Sequence, residues 1–113
     1  MNDLYAELKR QIAGDVRFDS MSRQLYSTDA SMYQVEPIGV VFPKHDDDLQ
    51  AAVELCAKHK VPLLPRGGGT SLAGQSTNHA VIMDCSTHLN RIHEVNTEEE
   101  YAWVEPGVVL DDL

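Results

Sequence analysis

A short strand, an amphipathic helix and a second short strand follow one another between Val40 and Leu64, and this order leaves few folds open. Val40-Val41-Phe42 is apolar, β-branched and aromatic, which suits a buried strand. Asp46-Asp47-Asp48 then opens a helix over residues 46–60, in which Leu49, Ala52, Val53, Cys56 and Ala57 fall on one face. The acids at its start and Lys58-His59-Lys60 at its end both suit the helix dipole, and Pro62 bars it from continuing. Leu63-Leu64 is the second strand and Ala80-Val81-Ile82-Met83 the third. A strand–helix–strand unit of this length is a crossover, so its strands run parallel and the sheet covers the apolar helix face.

The flanking segments are simpler. Leu4, Leu8 and Ile12 repeat every four residues with Tyr5 beside them, which predicts a first helix to about Gly14. Residues 15–36 are mixed and polar and read as loop with at most one helical turn. Residues 92–96 and 101–105 bracket Thr97-Glu98-Glu99-Glu100, the pattern of a hairpin with an acidic exposed turn. Trp103 alternates with Tyr101 on one strand face, where packing is its expected role. The expected fold class is α+β: a three-stranded parallel βαβ sheet flanked by helices, followed by the start of an antiparallel hairpin.

Composition narrows the function. A chain of 113 residues makes one small domain with a modest core. Nine basic against eighteen acidic residues give a net charge of −9. That balance argues against a nucleic-acid binder and against an electrostatic attachment to anionic membrane. No apolar run is long enough to span a bilayer, and Met1-Asn2-Asp3-Leu4 does not open a secretory signal. Two cysteines, Cys56 and Cys85, are too few for a disulfide framework, so a reduced, cytoplasmic setting is the default. Near the C-terminus, Pro106-Gly107 feeds residues 108–113, which read as a helix start with neither body nor cap. The expectation is a truncated piece of a longer protein.

The chemistry is concentrated after the second strand, in Pro65-Arg66-Gly67-Gly68-Gly69-Thr70-Ser71-Leu72-Ala73-Gly74-Gln75-Ser76. Glycines let backbone N–H groups converge and let a ligand approach the main chain, and phosphates are what such a loop holds well. Two familiar phosphate loops fail on spacing. A Walker A loop needs lysine after its last glycine, where this chain has Gln75. A Rossmann fingerprint counted from Gly67 needs glycine at position 72, which is Leu72, and a helix at once. Cys85-x-x-His88 lacks the second paired motif that a zinc site needs, and no metal site is expected. The acids 46–48 read as a helix start, Cys56 as core, and no nucleophile–base arrangement stands out, so no catalytic residue is assigned.

The run PRGGGTSLAGQS resembles the pyrophosphate loop of the FAD-binding domain of the vanillyl-alcohol oxidase / p-cresol methylhydroxylase superfamily. Within it, the chain looks like the branch of D-lactate dehydrogenases, glycolate oxidase flavoprotein subunits and 2-hydroxyglutarate dehydrogenases. Other segments agree in order: Tyr26-Ser27-Thr28-Asp29-Ala30-Ser31, then Val40-Val41-Phe42-Pro43, then Leu89-Asn90-Arg91-Ile92, then Val104-Glu105-Pro106-Gly107-Val108. The resemblance runs from about Leu25 to the C-terminus. It divides the chain into a helix and lead-in over 1–36 and the first part of the FAD-binding domain over 37–113.

The resemblance implies FAD as cofactor, with Gly67, Gly68, Gly69, Thr70 and Ser71 as a main-chain cradle for its diphosphate. Pro65 begins this loop, and Gly74, Gln75 and Ser76 end it along the flavin. Arg66 faces either a phosphate or a local acid. Pro106, Gly107 and Val108 match a turn whose main-chain atoms meet the flavin; Asn90 and Leu89 are weaker correspondences. Some relatives join the flavin to a histidine of this loop; Thr70 stands there here, so a non-covalent flavin is expected. By resemblance the parent is an oxidoreductase acting on a small 2-hydroxy acid such as D-lactate, glycolate or 2-hydroxyglutarate. Its substrate would be bound mainly by downstream regions, with room for an electron acceptor or iron–sulfur partner domain and for peripheral membrane association. The fragment alone is expected to be inactive and to self-associate. Two alternatives stand beside this reading: a UDP-sugar reductase of the same superfamily, and a non-catalytic nucleotide- or phosphate-binding module.

Overall fold

The computed structural model describes residues 2–27, 36–67 and 79–109. Six strands and three helices run in the order α1 (Asn2–Gln11), β1 (Asp15–Arg17), α2 (Ser20–Leu25), β2 (Gly39–Phe42), α3 (Asp46–Lys58), β3 (Leu63–Arg66), β4 (Val81–Asp84), β5 (Ile92–Asn96) and β6 (Tyr101–Val104) among these residues. One sheet has the order β1-β2-β4-β3, and β5-β6 form a second. As expected, β2, β4 and β3 are mutually parallel, with Val40 beside Ile82 and Leu64 beside Ile82. The third predicted strand lies between the other two, so β4 is central and β3 is an edge.

The lead-in is more ordered than its polarity suggests. β1 joins the sheet antiparallel to β2, pairing Val16 with Val41. Only Val16 of its three residues is buried, so it shows little hydrophobic pattern. α2 is capped by Asp19, whose carboxylate accepts from the Ser22 backbone N–H at 3.0 Å. It buries no residue of its own.

Helices α1 and α3 cover one sheet face. Leu4, Leu8 and Ile12 of α1 join Ala52, Leu55 and Cys56 of α3 and Val16, Val41, Val81 and Met83 of the sheet in one core. The buried face of α3 is rotated from the predicted one: Leu55 is buried while Val53 is 52% exposed and Ala57 is exposed. The cause is Asp48. It turns inward, and its carboxylate accepts from the backbone N–H groups of Lys44 at 2.9 Å, Ala13 at 3.0 Å and Gly14 at 3.2 Å. It thereby ties the α1–β1 turn to the β2–α3 loop, beyond its predicted role as a helix opener. Burial alone would raise the Asp48 pKa, but the three amides outweigh it and hold it below the ordinary value.

α3 ends at His59, with Lys60 in the left-handed region at φ 56°. The Val61 N–H reaches the Cys56 carbonyl at 2.9 Å and the Lys60 N–H the Ala57 carbonyl at 3.1 Å, a Schellman termination. Both partners of its hydrophobic contact, Cys56 and Val61, lie in the core. The β5–β6 hairpin forms where predicted, with Asn96 Oδ1 accepting from the N–H groups of Glu98 and Glu99 in its turn. Trp103 does not pack among the described residues: it is 66% exposed, on a strand whose four residues are all exposed.

Candidate functional site at the carboxyl ends of the parallel strands

Parallel strands gather their carboxyl ends on one side of a sheet, and loops leaving those ends are where ligands bind in such folds. Here β3 ends at Arg66 and β4 at Asp84, which are cross-strand neighbours. The glycine run leaves from Arg66. Of its residues, Pro65, Arg66 and Gly67 are described; Gly68, Gly69, Thr70, Ser71, Gly74, Gln75 and Ser76 lie outside the described residues.

The fold brings the start of this run against the second predicted segment. A Cβ on Gly67 would lie 3.2 Å from the Pro106 carbonyl oxygen, so the two main chains pass in near contact. The Pro106-Gly107 turn is in turn seated on the chain after β4. The Gly107 N–H donates to the Leu89 carbonyl at 2.7 Å, and a Cβ there would sit 2.1 Å from the Cys85 carbonyl oxygen. Only glycine fits that position. The Cys85 N–H donates to the Arg66 carbonyl at 2.9 Å, closing the circuit between the three segments.

This seating decides what the turn can offer a ligand. The Gly107 N–H is taken by Leu89, and the Val108 N–H donates to Glu105 at 3.2 Å. The turn therefore presents carbonyls, side chains and shape rather than free amides. Its outer side lines a groove of about 470 Å³ with Ser86, Asn90, Ile92, Gly107, Val108 and Val109. Ile92, Val108 and Val109 give it an apolar side and Ser86 and Asn90 a polar one, which suits a flat ligand part with polar edges. The Asn90 side chain is exposed and donates to the Ser86 carbonyl at 3.1 Å. Leu89 is only 1% exposed, so its side chain belongs to the core and only its carbonyl serves the turn. A depression of similar size between α1 and β1, about 440 Å³, is lined by Tyr5, Lys9 and Arg17 among others and holds none of the predicted residues.

Asp84 at the end of β4, Ser86 just after it and Tyr26 at the end of α2 carried no individual role in the sequence reading. Asp84 is 4% exposed, and its Oδ1 accepts from the Ser86 N–H at 2.7 Å and the Ser86 hydroxyl at 2.6 Å. Its Oδ2 accepts from the Tyr26 hydroxyl. Burial first, then the Asp84 carboxylate, push the Tyr26 hydroxyl well above the ordinary tyrosine range, so it stays a donor. The Arg66 guanidinium lies 5.0 Å above the Tyr26 ring. A polar residue closing the apolar run 80–83 was the one available signal for Asp84. Nothing in the sequence joins it to Tyr26. Cys85 and Cys56 are free and buried, and burial raises both thiols. Among the described residues no group of three or more His, Cys, Asp or Glu could hold a metal ion.

Main-chain segments in near contact, an arginine beside them and a half-apolar groove fit a dinucleotide with a flat ring. The family model described as FAD binding domain matches residues 37–113. The chain belongs to this FAD-binding family. It is 42% identical over 111 residues to the D-2-hydroxyglutarate dehydrogenase of Escherichia coli (strain K12), covering 95% of this chain and 11% of that protein. It is 35% identical over 108 residues to the glycolate oxidase subunit GlcD of Bacillus subtilis (strain 168), covering 91% and 23%. Among solved structures, the 4-ethylphenol oxidase from Gulosibacter chungangensis superposes with a TM-score of 0.81 at 27% identity, over 95% of this chain and 22% of that one. The chain thus spans about a tenth of the dehydrogenase and under a quarter of the other two. No helix among the described residues is long and apolar enough to cross a membrane.

Proposed function

We propose that this chain supplies the diphosphate side of the FAD site in a protein that oxidises a small 2-hydroxy acid of the D-2-hydroxyglutarate, glycolate or D-lactate class. The observation that carries the reading is the near contact of Gly67 with the Pro106 carbonyl at the ends of the parallel strands. It draws together two segments that share no pattern except their likeness to one cofactor site. Gly67, Gly68, Gly69, Thr70 and Ser71 hold the diphosphate through main-chain N–H groups, with Pro65 fixing the exit from β3. Gly74, Gln75 and Ser76 continue along the flavin, and Asn90, Pro106, Gly107 and Val108 shape the groove beside it. FAD, when bound, supplies the redox chemistry by accepting hydride from the substrate carbon; the protein supplies binding and orientation. Substrate-binding groups and the electron acceptor belong to other parts of the whole protein. The hydroxy-acid enzymes at 35–42% identity favour this substrate class over a UDP-sugar or a non-catalytic role. Two free buried thiols suit a reduced, cytoplasmic setting.

The test uses the whole protein that carries this chain. Gly68→Val should lower bound flavin per protein after desalting by about tenfold or more, because a β-branched side chain stiffens the loop and blocks phosphate approach. Acid precipitation should release the flavin into the supernatant, since Thr70 offers no imidazole for a covalent link. The protein should reduce a dye with at least one of D-2-hydroxyglutarate, glycolate or D-lactate. Unchanged flavin occupancy in Gly68→Val, or flavin retained in the acid pellet, would overturn the cradle and the non-covalent mode respectively. Reduction with none of the three acids would overturn the substrate class.

A further inference from the structure

We propose that Tyr26 and Asp84 are positioning residues that hold the Arg66 guanidinium, without neutralising it, at the start of the glycine run, where it takes the FAD diphosphate. The inference rests on the flavin reading above and adds to it how the cation is kept available.

Arg66 and Asp84 are direct neighbours across the two parallel strands. An arginine beside an aspartate normally pairs with it, and the pair would cancel the charge a phosphate needs. Here the carboxylate is occupied. Ser86 donates twice to Oδ1, and Tyr26 donates to Oδ2. Among the described residues no carboxylate lies within ion-pair distance of Arg66. Its guanidinium instead lies over the Tyr26 ring, with Nη1 donating to the Tyr26 carbonyl at 3.4 Å. The ring face and the carbonyl steady the group while leaving its charge whole. The ring itself is fixed from two sides, by its hydroxyl on Asp84 and by an edge-on contact with Phe42 at 5.8 Å. One aspartate thus orients the tyrosine, and the tyrosine orients the arginine one residue before Gly67. In a chain of net charge −9, a cation held this way is what lets a doubly negative diphosphate settle.

A double-mutant cycle on the holoprotein tests this, read as the FAD dissociation constant at several salt concentrations. Arg66→Met should weaken FAD about tenfold or more and flatten the salt dependence. Tyr26→Phe keeps the ring but frees it from Asp84; it should weaken FAD about threefold to tenfold in the wild-type background and hardly at all in Arg66→Met. Asp84→Asn, measured in the same way, should follow Tyr26→Phe and serves if that variant fails to fold. A purely structural role for the pair would lower the apoprotein melting temperature and weaken FAD equally in both backgrounds, which would overturn the proposal. So would an unchanged dissociation constant in both Tyr26→Phe and Asp84→Asn. A wild-type protein that holds no FAD would instead overturn the flavin reading itself.

Discussion

The mixed sheet and the hairpin use the same backbone hydrogen bonding to opposite ends. In the sheet, β4 is buried at all four positions and β2 at three of four. In the hairpin, no residue of β5 or β6 is buried, and Ile92, Val95, Tyr101, Trp103 and Val104 are exposed. The ladder, the Asn96 turn and the bulge at His93 are sound in both senses of geometry and pairing. What differs is cover: α1 and α3 bury one face of the sheet, whereas among the described residues the hairpin meets only the start of α3 and the loop before it, across a groove. Hydrogen bonds give a strand its register, but burial gives it most of its stability. The candidate site sits on the border, where Pro106-Gly107 of the hairpin's exit locks onto the turn after β4.

The largest effect should come from the middle of the sheet. Ile82 is fully buried on the central strand, flanked by Val40 and Leu64. Ile82→Ala should destabilise the chain by about 2–5 kcal/mol, the transfer loss plus the cavity left behind. Urea denaturation followed by far-ultraviolet circular dichroism measures it. A cost below about 1 kcal/mol would break the contrast, because the sheet would then be no better anchored than the hairpin.

The sequence showed the parallel unit, the two covering helices and the hairpin because each announces itself by a short repeat of apolar residues. It did not show β1, whose three residues carry one buried side chain, Val16. It did not show the order of the sheet, which depends on where β4 inserts rather than on what β4 contains. The apolar stripe of α3 suggested Val53 and Ala57 as core, whereas a buried carboxylate at Asp48 turns the helix toward Leu55. At the site, the glycines and Pro106-Gly107 were legible one by one. Their contact was not, and neither was the Tyr26–Asp84 link, because both join residues distant in sequence and leave no periodic trace.

A middle-sized effect should separate the two regions by pH. Asp48 binds three backbone amides and has a lowered pKa in the folded chain. Its contribution is therefore fully present above the unfolded carboxylate pKa, near 4, and is lost as pH falls through the lower folded value. Asp48→Asn should cost about 2 kcal/mol at neutral pH, from charge-assisted hydrogen bonds lost, and less at about pH 2. Urea midpoints from about pH 2 to pH 6 for both proteins should converge at the acid end. Parallel curves would mean that the carboxylate does not tie the α1–β1 turn to α3. The hairpin carries no comparable buried acid among its strands, so its exchange protection should not follow the Asp48 titration.

The smallest effect on stability should come from the hairpin, and it sharpens the comparison most. Trp103 is 66% exposed in the structure, so Trp103→Ser removes little buried area. Its cost in folding free energy should stay within about 0.5 kcal/mol. The same change should act strongly on how chains meet one another. Trp103 presents apolar surface on one face of the strand pair, with Val95 and Val104 on the other, and no further strand pairs with either edge among the described residues; water disfavours such surface and other chains can cover it. The 113-residue chain should therefore associate as its concentration rises, and Trp103→Ser should shift that association to higher concentration with the urea midpoint unchanged. Sedimentation velocity over a concentration series measures the first, and denaturation of dilute protein the second. If Trp103→Ser unfolds the dilute chain instead, the hairpin is covered in solution and the contrast between the two regions is wrong. If both readouts stay unchanged, the exposed ring is not what draws chains together.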